Sequence, residues 1–143
     1  MSARGATVLQ GGRAKAYRPL PAARRRAALS AGLAAYRRGD FFEAHELLEP
    51  AWMGTADPAE RDLLQGLIKL AAAFVHDVRG NPLGVAKNLS GARDRLAAAR
   101  DAGAGAARID LDGLVEAIDG RLAALAADPA ATIEPPVLVR TRP

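Results

Sequence analysis

Asp57-Pro58-Ala59-Glu60 can do little except begin a helix. The aspartate caps free N–H groups, proline fits the first helical position, and the glutamate suits the positive end of the helix dipole. Similar punctuation recurs at Asp40 with Glu43 and at Asn81-Pro82, Pro21 suits one further start, and a last apolar stripe begins at about Asp110. Between these starts apolar residues recur three and four apart. Leu29, Leu33 and Tyr36 mark the first stripe; Leu63, Leu64, Leu67, Ile68, Ala71, Phe74 and Val75 mark the third. Val85, Leu89, Ala92 and Leu96 mark the fourth; Leu111, Leu114, Val115, Ile118 and Leu122 mark the fifth. The spacing predicts helices from Pro21 to Gly39, over 41–53, from Asp57 to about Arg79, from Asn81 through Ala99, and over 110–127. No strand-type alternation precedes the C-terminal tail. The chain is therefore read as all-α, a single-domain bundle of about five helices.

The junctions YRRGD (36–40) and DVRGN (77–81) resemble each other, and each joins a helix to a turn and a newly capped helix. That pattern predicts two stacked helical hairpins followed by a C-terminal helix. The first hairpin has the look of a tetratricopeptide unit, but no repeat of about 34 residues follows it.

Charge divides the chain further. Residues 1–38 carry nine Lys or Arg and no acidic residue, whereas residues 39–131 carry nine Lys or Arg against fifteen Asp or Glu. Residues 1–20 are read as a flexible basic arm, 21–128 as the helical domain and 129–143 as an extended, proline-containing tail. The arm gives nucleic acid a possible contact, but ARRRAA (23–28) lacks interleaved aromatics and is read first as a solvated face. No cysteine is present, so disulfides and thiolate metal sites are excluded. The longest apolar stretch, GLIKLAAAFV, is interrupted by Lys69 and too short to span a bilayer. No membrane role and a cytoplasmic location are expected.

The polar residues on the apolar faces single out a site. On the second helix His45 and Glu49 lie one turn apart, on the border of the apolar face that also holds Trp52. Glu46 points elsewhere on that wheel. On the third helix Gln65, Lys69 and His76 form a comparable border stripe. Aligning the two junctions sets Ala86 against His45 and Ser90 against Glu49, so the hairpin itself does not demand the polar pair. Pro50 removes one backbone bond and disfavours helical geometry at Glu49, which predicts a kink or an end there.

From about Tyr36 to Leu96 the chain resembles a family of small helical bacterial and archaeal proteins known only as a domain of unknown function (number 309). The resemblance rests on His45, Glu49 and Trp52 in H-x3-E-x2-W spacing, on FFEAHE, on QGLIKLAAAFVH and on the RGN turn. It implies a helical bundle and a metal-binding role for the motif, without a reaction.

Two readings of the site follow. In the first, His45, Glu49 and His76 hold one divalent metal ion, or a small ligand binds there, with Trp52, Gln65 and Lys69 lining the site. In the second, an imidazole–carboxylate bond between His45 and Glu49 satisfies two buried polar groups, Trp52 is core, and the chain is a non-catalytic interaction module. His76 would then make a local hydrogen bond, and Lys69 would snorkel to solvent. HELLE (45–49) also approximates the zinc-protease pattern H-E-x-x-H, but Glu49 replaces the second histidine. A protein partner or a second copy of the chain fits the alanine-rich helices as well.

Overall fold

The side chains that punctuate the sequence cap the helices. In the computed structural model, which describes residues 6–10 and 13–141, Asp40 accepts from the Glu43 amide at 3.2 Å and opens α2 (Phe41–Met53). Asp57 accepts from Glu60 at 3.0 Å to open α3 (Pro58–Val78), and Asn81 from Gly84 at 3.2 Å to open α4 (Pro82–Asp101). Asp110 does the same for Gly113 at 3.1 Å at the head of α5 (Leu111–Ala127). Among the described helices only α1 (Ala22–Arg37) begins without a side-chain cap, behind Pro21. The two look-alike junctions share one backbone device, since Gly39 and Gly80 both turn the chain at positive φ, 82° and 69°. There a Cβ would be strained.

Each helix packs on its neighbour in sequence, α1 on α2, α2 on α3, α3 on α4 and α4 on α5. This is the expected pair of hairpins plus a C-terminal helix. The stripes read from the sequence meet in one core, where Leu48, Leu63, Leu70, Phe74, Leu89, Leu96 and Ile118 are essentially inaccessible. Tyr36, Phe41 and Phe74 bind three helices together, with ring centroids 5.3 Å and 5.5 Å apart along the series.

Pro50 does not end α2, which spans the residues that the spacing predicts. The helix continues to Met53 because its last carbonyls find other donors. The Gly54 amide donates to Pro50 O at 2.9 Å, and Thr55 Oγ1 to Ala51 O at 2.7 Å. Trp52 O accepts from Arg61, and Met53 O from the Arg18 amide at 2.8 Å. One lost intrahelical bond is offset by closure of the final turn.

The segment before α1 differs from the sequence reading. Residues 1–5, 11 and 12 of the expected arm lie outside the described residues, but eight of the others are regular. Strand β1 (Thr7–Gln10) pairs antiparallel with β2 (Arg13–Ala16), in the register Thr7↔Ala16 to Gln10↔Arg13. Its pattern of exposure inverts the usual one. Leu9 is 69% exposed while Gln10 is buried, so hydrophobicity does not reveal the strand. The chain then runs along the end of α2 through the Arg18 bond to Met53.

The tail is extended, and it packs. Ile133, Pro136 and Leu138 are buried, so the core continues past residue 128. Tyr36 Oη donates to Pro136 O at 2.7 Å and Arg37 Nη2 to Leu138 O at 3.0 Å. Residues 109 and 140 form an isolated antiparallel bridge.

Candidate functional site

Helices α2 and α3 do bring their polar borders together. His45, Glu49 and Trp52 from α2, and Gln65 and Lys69 from α3, line one open groove of ≈ 300 Å³. Ile68 and Ala72 add apolar surface, and Asn88 completes it from α4. The groove combines an imidazole, a carboxylate, an ammonium and two carboxamides, so it offers both donors and acceptors to one small molecule.

The pairing inside the groove differs from expectation. His45 Nδ1 lies 3.3 Å from Glu46 Oε1, and Glu49 is exposed one turn further on. Neighbouring positions diverge by about 100° on the wheel, but a glutamate side chain is long enough to curl back. The Glu46 carboxylate can only accept, so Nδ1 is the donor of this contact, while Nε2 makes no hydrogen bond among the described residues. The contact is long for a strong hydrogen bond. The His45 side chain is 31% exposed, so the buried imidazole–carboxylate pair read from the sequence is not formed.

His76 stands apart from this groove. Its Nδ1 lies 3.1 Å from Asn81 Nδ2 at the α3–α4 turn. Among the described residues no three His, Cys, Asp or Glu side chains gather in a way that could hold a metal ion, so His45, Glu49 and His76 are not assembled as a ligand set. Lys69 also places a positive charge on the groove that a cation would enter. The residues present do not fit a divalent site closed by three protein ligands.

A buried network forms the wall behind Trp52. Gln10, 3% exposed, reaches in from β1. Its Oε1 accepts from Trp52 Nε1 at 3.0 Å and from Arg61 Nε at 3.3 Å. Its Nε2 donates to Asp62 Oδ1 at 2.9 Å and to Gln65 Oε1 at 2.5 Å. Asp62 is held in turn by Arg95 at 3.1 Å. Every hydrogen-bonding capacity of the Gln10 amide is therefore used.

Arg61 has no accessible surface. Its Nη1 donates to Trp52 O at 2.9 Å and Thr55 O at 3.0 Å, its Nη2 to Ala16 O at 3.3 Å, and its Cζ sits 4.9 Å from the Trp52 ring centroid. Burial lowers the Arg61 pKa, while Tyr17 and Asp62 act in the opposite direction. The cation sits at the C-terminal end of α2, where free carbonyls and the negative end of the helix dipole favour it. Arg61 and Gln10 were not singled out from the sequence. An arginine placed at an apolar position directly before Asp62-Leu63-Leu64 is the one local signal for Arg61.

The groove, its wall and the helices that carry it can be set against known families. Residues 29–88 match a family model, Domain of unknown function (DUF309). The resemblance read from the H-x3-E-x2-W segment is therefore borne out at the level of the domain. No curated protein and no solved structure matches the chain. All eight residues lining the groove fall within the DUF309 match, whereas Gln10, which braces it, lies outside.

Proposed function

We propose that this protein binds a small polar organic molecule in the α2–α3–α4 groove, held by Lys69, Glu49, His45 and the two carboxamides. One observation carries the reading: side chains that the helical hairpins do not require for packing converge on a single concavity. An anionic group, such as a carboxylate, would lie beside Lys69, and a hydroxyl or ammonium would donate to Glu49. His45 Nε2 supplies an acceptor, or a place for a proton. Trp52, fixed from behind by Gln10 and Arg61, offers a rigid apolar edge whose order does not have to be gained on binding. A divalent ion bridging His45 and Glu49 is less well supported, because Lys69 opposes it and only two side chains would hold it.

Thermal melts of the full chain separate these readings. Short hydroxy- and amino-carboxylates, and divalent cations with and without chelator, are compared on the wild type, Lys69→Ala and His45→Ala. A saturable rise with a carboxylate, lost in Lys69→Ala and indifferent to chelator, supports the organic ligand, because selective binding stabilises the native state by mass action. A rise with one divalent cation, lost in His45→Ala and kept in Lys69→Ala, overturns it in favour of the metal.

A further inference from the structure

A second and larger concavity lies against α1. One wall is a face of α1, where Leu29 and Leu33 form an apolar floor between Arg26 and the pair Arg37 and Arg38. The other wall is the segment around Ala107 and Arg108, with Arg140 brought alongside by the residue 109–140 bridge. The space measures ≈ 650 Å³, and among the described residues five guanidinium groups and no carboxylate line it.

Gathering like charges in this way is unfavourable. Burial first, and then the like charge of Arg140, hold Arg37 below the ordinary arginine range. Arg38 is paired with Glu43 at 2.6 Å and Arg37 donates to the Leu138 carbonyl, but among the described residues no such partner engages the guanidinium groups of Arg26, Arg108 or Arg140. Arg108 also takes a positive φ of 52°, a conformation costly for a residue with a Cβ. Its backbone is held there on both sides, by its own amide to Gly105 O at 3.1 Å and by the Thr141 amide to its carbonyl at 2.9 Å.

We propose that this groove binds a phosphate monoester with an apolar body. The guanidinium forks match the oxygens of a doubly charged phosphate, and several can engage one phosphate from different sides. The apolar body lies on Leu29 and Leu33. No aromatic ring lines the groove, so it lacks the stacking surface that single-stranded nucleic acid uses. Its volume suits a molecule rather than a polymer. The convergence is invisible in sequence, because Arg108 and Arg140 reach Arg26 and Arg37 only through the folded tail.

Isothermal titration of the full chain with hexyl phosphate and with inorganic phosphate tests the assignment. Hexyl phosphate is expected to bind saturably and about tenfold more tightly than inorganic phosphate, a contrast the apolar floor supplies. Arg140→Gln is expected to weaken it by about tenfold or more while the melting temperature holds or rises, because the substitution removes repulsion from Arg37. Arg26→Gln weakens binding without touching the tail, and Lys87→Ala, on the exposed face of α4, controls for loss of a charge elsewhere. Equal affinity for the two phosphates, or indifference to Arg140→Gln and Arg26→Gln, overturns the proposal. So does binding only to a short single-stranded oligonucleotide, or only to phosphatidic acid in phosphatidylcholine vesicles, since either leaves the free ester without a site.

Discussion

Trp52 and Gln10 meet across 42 positions of chain, with the indole N–H donating to the amide oxygen at 3.0 Å. This bond makes the N-terminal hairpin part of the wall of the candidate groove. The tryptophan of the H-x3-E-x2-W segment acts through this wall as well as on the groove, because its ring lies against Arg61 and its carbonyl accepts from the same guanidinium.

Gln10→Ala should therefore destabilise the helical domain although it lies outside it. The substitution leaves the Trp52 indole, Arg61 Nε and Gln65 Oε1 without a partner, while Asp62 Oδ1 keeps Arg95. A cost of about 2–3 kcal/mol is expected, below the sum of the separate bonds because water can reach part of the site. Urea denaturation followed by Trp52 fluorescence measures it directly. A loss under about 0.5 kcal/mol would mean that the hairpin does not bear on the domain.

What the sequence made legible, and what it concealed, divides along range of interaction. The caps at Asp40 and Asp57, and the helix starts at Asn81 and Asp110, were readable because each cap acts three residues ahead on its own helix. The meeting of His45 and Glu49 with Gln65 and Lys69 followed from two border stripes on consecutive helices. Gln10 stayed hidden because its partners are 42 to 55 positions away and because its strand buries a polar side chain while exposing Leu9. The dipeptide Gly11-Gly12 between TVLQ and RAKA was the one short-range sign of a hairpin. His45 turned to Glu46 rather than Glu49, a choice of rotamer that helix periodicity does not decide.

Arg61 should not tolerate lysine. Its fork serves two carbonyls at the α2 terminus and beyond, the Ala16 carbonyl and Gln10 at once, and an ammonium cannot span them. Arg61→Lys is expected to cost about 2–4 kcal/mol, and Arg61→Met at least as much, since each strands buried acceptors. Guanidinium chloride titrations of the wild type and both variants compare them. Equal midpoints for the wild type and Arg61→Lys would show that charge alone suffices.

The Tyr36 hydroxyl provides a pH dependence of known sign. Burial pushes its pKa well above the ordinary value of 10.0, with Arg121 pulling the other way, and the hydroxyl donates to Pro136 O. The folded state thus keeps the proton that the unfolded chain releases above pH 10.0. The stabilisation is complete below that pH and is lost as pH rises further toward the folded value. Tyr36→Phe should be less stable by about 1 kcal/mol at neutral pH, for want of the bond to Pro136. It should also decline less steeply in alkali, and denaturation midpoints compared at neutral pH and above pH 10.0 give both quantities.

His45 carries the opposite expectation, and its variant distinguishes a groove residue from a core residue. The imidazole is partly exposed, and its one hydrogen bond, to Glu46, is long. Nothing in the α1–α2 packing depends on it, since Ala44 and Leu48 fill the buried face of α2 on either side. His45→Ala should therefore change stability by no more than about 0.5 kcal/mol, the range of surface substitutions. Trp52→Ala, which opens the wall in front of Arg61, should cost about 3 kcal/mol or more. If calorimetric melts found the two variants equally damaged, His45 would belong to the structural network. If His45→Ala melts like the wild type, its place on the groove is free of any duty to the fold and available to a ligand.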